Sequence, residues 1–550
     1  SADRQFLSFV GEESFYGYVA RHRHEMFRDE DFAFLYCLDN GRTSVPPSLI
    51  AMALLLQCYT GVSDQETIDR VKFDLRWKVA LGLRLDEEPL VKSTLQLFRN
   101  QLIIHQRAKL LFQKAMEYLR RQGFVKKHKI HLALDTTAIF GKGAVQDTFN
   151  MLAEGLRQVL LVLARFASQR VEDYASAHDA SRYLAPSFKG TWVMDWDNEK
   201  ERQVVLESLV ADCQRVLALA SKTLKQYAEE SSEAKELLQA TDLLGKLLVQ
   251  DVRRTETGRA EIIDGVAQDR IVSVHDPEMR HGRKSATQRF DGYKASLSVE
   301  TESQVIADVD VLPANAHDST NTSALVVESA KNLDATIEGI LGDGAYGSVE
   351  ARLDAQAGQY TVTAPVGQLP QHGRFTKDMF VIDLENETVT CPAGQITSTW
   401  YERRTKTKRG TTFRNKSFMF SVAQCGSCPL RSQCLQPDAS RRTILVHEHE
   451  ELLRQAKAFQ RTEEYRTLYR QRVRVEHRIA RLVKLGIRKA RYFGSSKVLF
   501  QLATAAAVAN LTLFARSLST PASFVSLLIL MSLILVLCVS RMSYRRPVCC

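Results

Sequence analysis

A chain of 550 residues exceeds what one hydrophobic core serves, so two to four domains are expected. With 45% apolar and 25% charged residues the composition is globular, and ten clustered cysteines without a secretory opening exclude a disulfide scaffold and argue for a reduced compartment. The formal net charge of +10 is uneven: residues 401–520 hold 25 Lys and Arg against 8 Asp and Glu, while residues 1–400 are net acidic, as expected if the basic region alone faces phosphates.

Residues 1–125 read as helical. VPPSLIAMALLLQCYTG sets prolines at a helix start ahead of an apolar run. In SDQETIDRVKFDLRWKVALGL, Ser63 is an N-cap with Glu66 three residues on, a capping-box arrangement. Two readings stand for this region, a packing module and a helix-turn-helix DNA reader. The opening Ser-Ala-Asp lacks a Met, which leaves room for a missing start.

From 128 to 149 the pattern is a strand, IHLAL, ending at Asp135, then a turn at GKG and a helix start. Residues 150–255 have helical periodicity and are too long for a loop, so they are expected as a helical insertion between the first two strands of the core, with Trp192 and Trp196 as packing residues. Residues 262–365 alternate strand and helix: DGYKASLSVE, VIADVDVLP, a helix near 320–332, IEGIL ending at Asp343, a helix near 347–357, then QYTVTAPV. With the strand before Asp135 this predicts an α/β fold, a five-stranded mixed sheet with helices on its faces.

Residues 370–445, rich in Thr, Phe, Val and Cys, read as a β insertion, and 447–515 as helices carrying Glu476. The apolar run Phe524–Val539 is short for a membrane span, although Arg541, Arg545 and Arg546 suit a cytoplasmic flank. A reading-frame change or fusion near residue 519 is preferred to an anchor.

Three carboxylates carry the chemistry. Asp135 and Asp343 follow apolar runs and Glu476 sits in helical sequence among cations; together they could hold divalent cations through hard oxygen ligands. Paired Mg²⁺ ions activate one oxygen and stabilise another in displacement at phosphorus. A lone strand-end Asp is more often a cap. Spacings of three and four put Tyr469, Arg472 and Glu476 on one helix face, where Arg472 pairs with Glu476 or grips a phosphate; the plain alternative is a surface salt bridge worth under about 1 kcal/mol.

Cys391, Cys425, Cys428 and Cys434 form one CxxC pair with a Cys 34 residues upstream and another six downstream, a set able to give four thiolates to one tetrahedral, structural Zn²⁺. Basic residues between Arg403 and Arg409 suggest that this module also touches DNA, with Trp400 read as packing.

In one order the chain carries LALDTTAIFGKGAVQDTFNMLAEG, MDWDN, DPEMRHGRKSATQRFDGYKASLSVETESQVIADVDVLPANAHDS, ILGDGAYG, CPAG with CGSCPLRSQC, and VEHRIARLVKLGIRKARYFG. Over about residues 10–515 it resembles the DDE transposases with a ribonuclease H-like core, most closely the bacterial insertion sequence 1182 group of the insertion-sequence-4-like superfamily. The resemblance implies a helical DNA-end-binding domain at 1–125, a catalytic core from 126–149, 256–369 and 447–518, insertions at 150–255 and 370–446, and an aberrant tail at 519–550. It implies that Asp135, Asp343 and Glu476 are catalytic ligands of two Mg²⁺ or Mn²⁺ ions.

The implied reaction is metal-dependent cleavage at the element's terminal inverted repeats, then attack of the released 3′ hydroxyl on target DNA, with no covalent enzyme intermediate. A homodimer joining two ends, in the bacterial cytoplasm at the nucleoid, is implied too. The family pattern places Tyr469, Arg472 and Glu476; Val483 stands where a Lys is expected, so Arg481 or Lys484 takes that DNA-contacting part. Arg280, His281, Arg283 and Lys284 precede the next core strand and are implied phosphate contacts. The rival readings are a catalytically inactive, transposase-derived zinc-containing DNA-binding protein, and a membrane-tethered one. The presence of all three acids favours the enzyme.

Overall fold

The structure, a computed structural model, describes residues 1–519 except 36–44, 126–127, 227–230, 266, 268, 285–286, 368–373 and 408. The apolar tail lies outside the described residues.

Seven helices open the chain: α1 (Ala2–Val10), α2 (Phe15–Met26), α3 (Pro47–Thr60), α4 (Asp64–Phe73), α5 (Leu75–Leu81), α6 (Lys92–Ile104) and α7 (Leu110–Arg121). The helix α3 starts at its proline pair and stops where Gly61 turns left-handed (φ 72°), a conformation free of steric cost only for glycine. The capping box of α4 is formed: Ser63 Oγ accepts from Glu66 N at 3.2 Å, and the Glu66 carboxylate accepts from Ser63 N at 2.8 Å. Ser63→Ala is expected to cost about 1 kcal/mol, read as a lowered denaturant midpoint at unchanged m.

The core sheet is built around β1 (Lys129–Phe140). Between β1 and the next core strand come α8 (Thr148–Phe166), α9 (Val171–Ala177), α10 (Glu199–Leu224), α11 (Ser232–Asp251) and the hairpin of β2 (Val252–Arg254) and β3 (Ala260–Ile262). Then follow β4 (Arg280–Arg283), β5 (Arg289–Glu300), β6 (Ile306–Pro313), α12 (Thr322–Leu333), β7 (Thr336–Leu341), α13 (Val349–Ala357) and β8 (Thr361–Thr363). The strand β1 is antiparallel to β5, from Leu132↔Glu300 to Phe140↔Gly292, and parallel to β7, which is parallel to β8. The far edge of β5 takes β4 against residues 289–292 and β6 against 293–299.

The sheet therefore has six strands, not five. The sixth, Arg280–Arg283, is charged and without apolar alternation, so it carries no strand signal of its own; β5 supplies its pairing. A second correction concerns β1, which does not end at Asp135. The residues TTAIF that follow are β-branched or apolar and pair with β5 as far as Phe140, where Phe140 N donates to Arg488 O and Ala490 N donates to Phe140 O.

The Cys-rich segment forms two small three-stranded sheets, β9 (Val381–Asp383), β10 (Thr388–Thr390) and β11 (Ile396–Thr397), then β12 (Trp400–Lys406), β13 (Thr412–Met419) and β14 (Thr443–Val446), with short helices α14 (Val422–Gly426) and α15 (Arg431–Cys434). Four helices close the described chain: α16 (Glu450–Gln460), α17 (Glu463–Arg470), α18 (Val473–Lys484) and α19 (Ser495–Ser519).

One hydrophobic core runs from Phe15 through the sheet to Phe514, so the N-terminal helices and the sheet share their packing. The helical insertion has its own core, onto whose rim Trp192 and Trp196 pack, and the Cys-rich segment has a third. The one described helix apolar and long enough to cross a membrane, Ser495–Leu518 within α19, is 83% buried inside the protein. It packs on β6, α7 and α3 and serves as the spine of the main core. Asn510, fully buried on it, donates from Nδ2 to Ile306 O (2.8 Å) and accepts from Ile306 N (2.9 Å), giving edge strand β6 the amide partner a neighbouring strand would supply.

Candidate active site

The parallel register of β1 and β7 ends at Ala133↔Leu341. Two residues further on, each chain reaches an acid on the same face of its strand, Asp135 on β1 and Asp343 just past β7. Asp343 is locally fixed as the N-cap of a short 3₁₀ turn, its Oδ1 accepting from Ala345 N at 2.9 Å. The helix α18 packs on β1 and β5 with its N-terminus at the acids.

Arg472, which begins α18, joins the acids physically. Its Nη1 donates to Asp135 Oδ2 at 3.2 Å and its Nη2 to Glu476 Oε1 at 2.5 Å. The Arg472–Glu476 pair is thus more than a surface salt bridge, because the same guanidinium serves Asp135 and is only 21% exposed. Burial pulls the guanidinium pKa down, but Asp135, Tyr469, Glu476 and Asp343 together outweigh it and leave it raised. For Asp135, burial dominates and pushes the carboxyl up to about 6; the Thr136 N–H (2.8 Å) and Arg472 oppose this, and Asp343 and Asp318 add to it.

Two neighbours escaped the sequence reading. Asp318 is held by Lys294, whose Nζ lies 2.7 Å from Asp318 Oδ1 and 2.7 Å from Ala316 O. Tyr346 is 1% exposed and its hydroxyl has no hydrogen-bond partner among the described residues; burial and the charges of Asp135, Asp318 and Asp343 raise its pKa. The signals were present as the acid in NAHDS and the aromatic in GDGAYG, but neither has a distinctive spacing.

The helix expected to carry Tyr469, Arg472 and Glu476 on one face is broken: α17 ends at Arg470, Gln471 turns, and α18 starts at Val473. Tyr469 instead stacks on Tyr465 at 5.4 Å between ring centroids, still within the field of Arg472. Arg481 is half-buried and donates to Thr512 on α19 (3.4 Å), whereas Lys484 is exposed. Arg280 is tied to Pro277 O (2.6 Å) and Met279 O (2.7 Å), His281 pairs with Asp291, and Arg283 and Lys284 are exposed at the sheet edge.

Cys391, Cys425, Cys428 and Cys434 are free, half-buried and line one cavity of about 30 Å³, room for one water-sized body. Burial raises the Cys434 thiol pKa, Arg442 opposes, and the other three cysteines add to the rise. Trp400 donates to Glu387 (3.1 Å) under Lys416, and Arg409 pairs with Asp354 at 2.8 Å. Among the described residues, no three metal-ligating side chains stand close enough to hold an ion as they are placed. At the acids the reason is visible, since Arg472 occupies the space between Asp135 and Glu476.

Residues 390–514 match the family model of the transposase DDE domain, and residues 6–101 match that of a transposase domain, DUF772. The first stretch contains Glu476, Arg472 and the four cysteines; Asp135 and Asp343 lie between the two. No curated protein and no solved structure matches the chain. A mixed α/β chain whose early and late segments each match a transposase domain model is similar to the DDE transposases in those two stretches, which supports a transposase.

Proposed function

We propose that the chain is a transposase of the insertion sequence 1182 group that cuts the inverted ends of its own element and joins them to target DNA, on a ribonuclease H-like core with the domain limits read from the sequence. The observation that carries this is the convergence of Asp135, Asp343 and the Arg472–Glu476 pair from three distant parts of the chain.

The donors fit divalent metal. Asp135 on β1 and Asp343 just past the adjacent β7 offer hard oxygen donors, burial pushes the Asp135 carboxyl up against the pull of Arg472, and that guanidinium stands between two of the acids. When bound, two Mg²⁺ or Mn²⁺ ions would supply Lewis-acid polarisation of the phosphate and an activated attacking oxygen. Asp135, Asp343 and Glu476 would hold the ions, and Arg472, which bridges Asp135 and Glu476, would be the cation facing a DNA phosphate. Water attacks phosphorus, the P–O3′ bond breaks, and the 3′ hydroxyl released is the nucleophile of the second step. Tyr469, Arg481, Lys484, Arg280, Arg283 and Lys284 contact the backbone, and two chains pair to hold two ends.

The test is cleavage of a duplex carrying the flanking inverted repeat, by the full chain and by one ending at Ser519, with and without Mg²⁺. Cleavage lost in Asp343→Ala supports the enzyme; binding without cleavage by either chain favours the inactive, zinc-containing DNA-binding reading.

Four thiols around one ion-sized cavity also fit structural Zn²⁺ in donor type, a staple for a segment whose core is small. Cys425→Ser with Cys428→Ser is expected to lower zinc content from one per chain to near none and to expose the 370–446 segment to protease. Unchanged zinc by elemental analysis would remove the assignment.

A further inference from the structure

Both stretches that match transposase domains meet at one cleft of about 560 Å³. Its charged lining is Asp64, Lys92, Arg99, Lys142, Arg491 and Lys497, five cations against one acid. That acid is spent internally: Arg99 holds Asp64 through two bonds, at 2.9 and 2.5 Å, and lies over the Tyr492 ring at 5.4 Å. Arg491 ties the late segment to the early one by donating to Val62 O at 2.8 Å. The walls are therefore fastened by buried pairs, while Lys92, Lys142 and Lys497 are exposed and form no ion pair among the described residues. Lys142 is steadied over the Phe493 ring at 5.0 Å. Like charges gathered this way repel unless an anion joins them.

The chain limits how far the cleft lies from the acids. Lys142 lies just past the end of β1, seven residues beyond Asp135, and seven residues of extended chain span at most about 24 Å. Arg488 clamps the intervening strand, donating to Thr137 Oγ1 (3.1 Å) and Ala138 O (3.0 Å). At about 3.4 Å per nucleotide along one strand, this upper limit corresponds to at most about seven nucleotides. Three lysines without ion pairs among the described residues, on one cleft, suit the phosphates of one strand.

We infer that this cleft grips the sugar-phosphate backbone of one strand of the element's end, no more than about seven nucleotides inward of the phosphodiester cut at Asp135. It rests on the transposase reading above. It gives the N-terminal helices a definite part, backbone positioning rather than base reading, and couples them to the catalytic sheet through β1.

The test measures binding of the duplex from the flanking inverted repeat against salt, using the full chain and two variants. Lys92→Gln, Lys142→Gln and Lys497→Gln together should lower the slope of log Kobs against log salt by about 2.7, and Gln96→Lys, on the same wall, should steepen it by about 0.9. Opposite shifts from the two variants cannot come from misfolding. Shortening the duplex stepwise from about seven base pairs inside the cleavage point to the cut itself should weaken wild-type binding and leave the triple variant unaffected. Unchanged slopes in both variants, or equal sensitivity of wild type and triple variant to shortening, would overturn the cleft assignment while leaving the enzyme reading intact. Failure of the wild type to bind the repeat at all would overturn both.

Discussion

Asp135→Asn is expected to abolish strand cleavage and, in the same protein, to raise the stability of the metal-free fold. The first effect follows from the proposed role: losing a metal ligand would forfeit several kcal/mol of transition-state stabilisation, and at about 1.36 kcal/mol per tenfold the rate would fall by about a thousandfold or more. The second follows from burial. A carboxyl with an ordinary value of 3.8 that is pushed up to about 6 is unfavourable to the fold wherever it is ionised. Because the folded value is the higher one, this cost is fully present above about pH 6 and disappears as pH falls from there towards 3.8. The shift corresponds to about 3 kcal/mol, which the amide recovers at neutral pH. Urea unfolding at pH 7 and pH 4.5 checks it: the wild type should gain on acidification relative to the variant. A variant that loses both activity and stability would make Asp135 a structural residue.

Asn510→Leu should be among the most destabilising single changes in the molecule. It strands Ile306 N–H and C=O inside the core, each costing about 1–3 kcal/mol, for a total of about 2–6 kcal/mol. Arg478, buried beside it with Nη2 3.4 Å from Asn510 Oδ1, loses a neighbour as well. The measurement is the unfolding free energy from urea titration; a loss within about 0.5 kcal/mol would show that β6 does not depend on this amide.

What could be read from sequence was whatever a local rule dictates. The capping box at Ser63 and Glu66 needs only four residues, and it is present as written. The strands β5, β6, β7 and β8 carry apolar patterning of their own and are found in place. What could not be read was imposed from elsewhere in the chain. The strand Arg280–Arg283 exists because β5 offers it an edge, and the second half of β1 because residues 488–490 close on Phe140. The break at Gln471 lies inside a stretch with good helical periodicity and no proline or glycine, so nothing local announces it. It matters to the site, because it makes Arg472 the N-cap of a new helix, where it reaches Asp135. Asp318 and Tyr346 were missed for the same reason: their meaning is positional, and only the folded sheet brings them to Asp135 and Asp343.

The burial of α19 sets a schedule for the newborn chain. The main core draws on residues from Phe15 to Phe514, so its first helices leave the ribosome long before the helix they pack against has been made. At about 5–20 residues per second, roughly half a minute to a minute and a half separates the two ends. During that interval the apolar faces of α3 and α7 lack their partner, and Glu476 has not yet joined the acids. The protein therefore gains a closed core and the third of its acids at nearly the same moment, once residues 476–514 have been made.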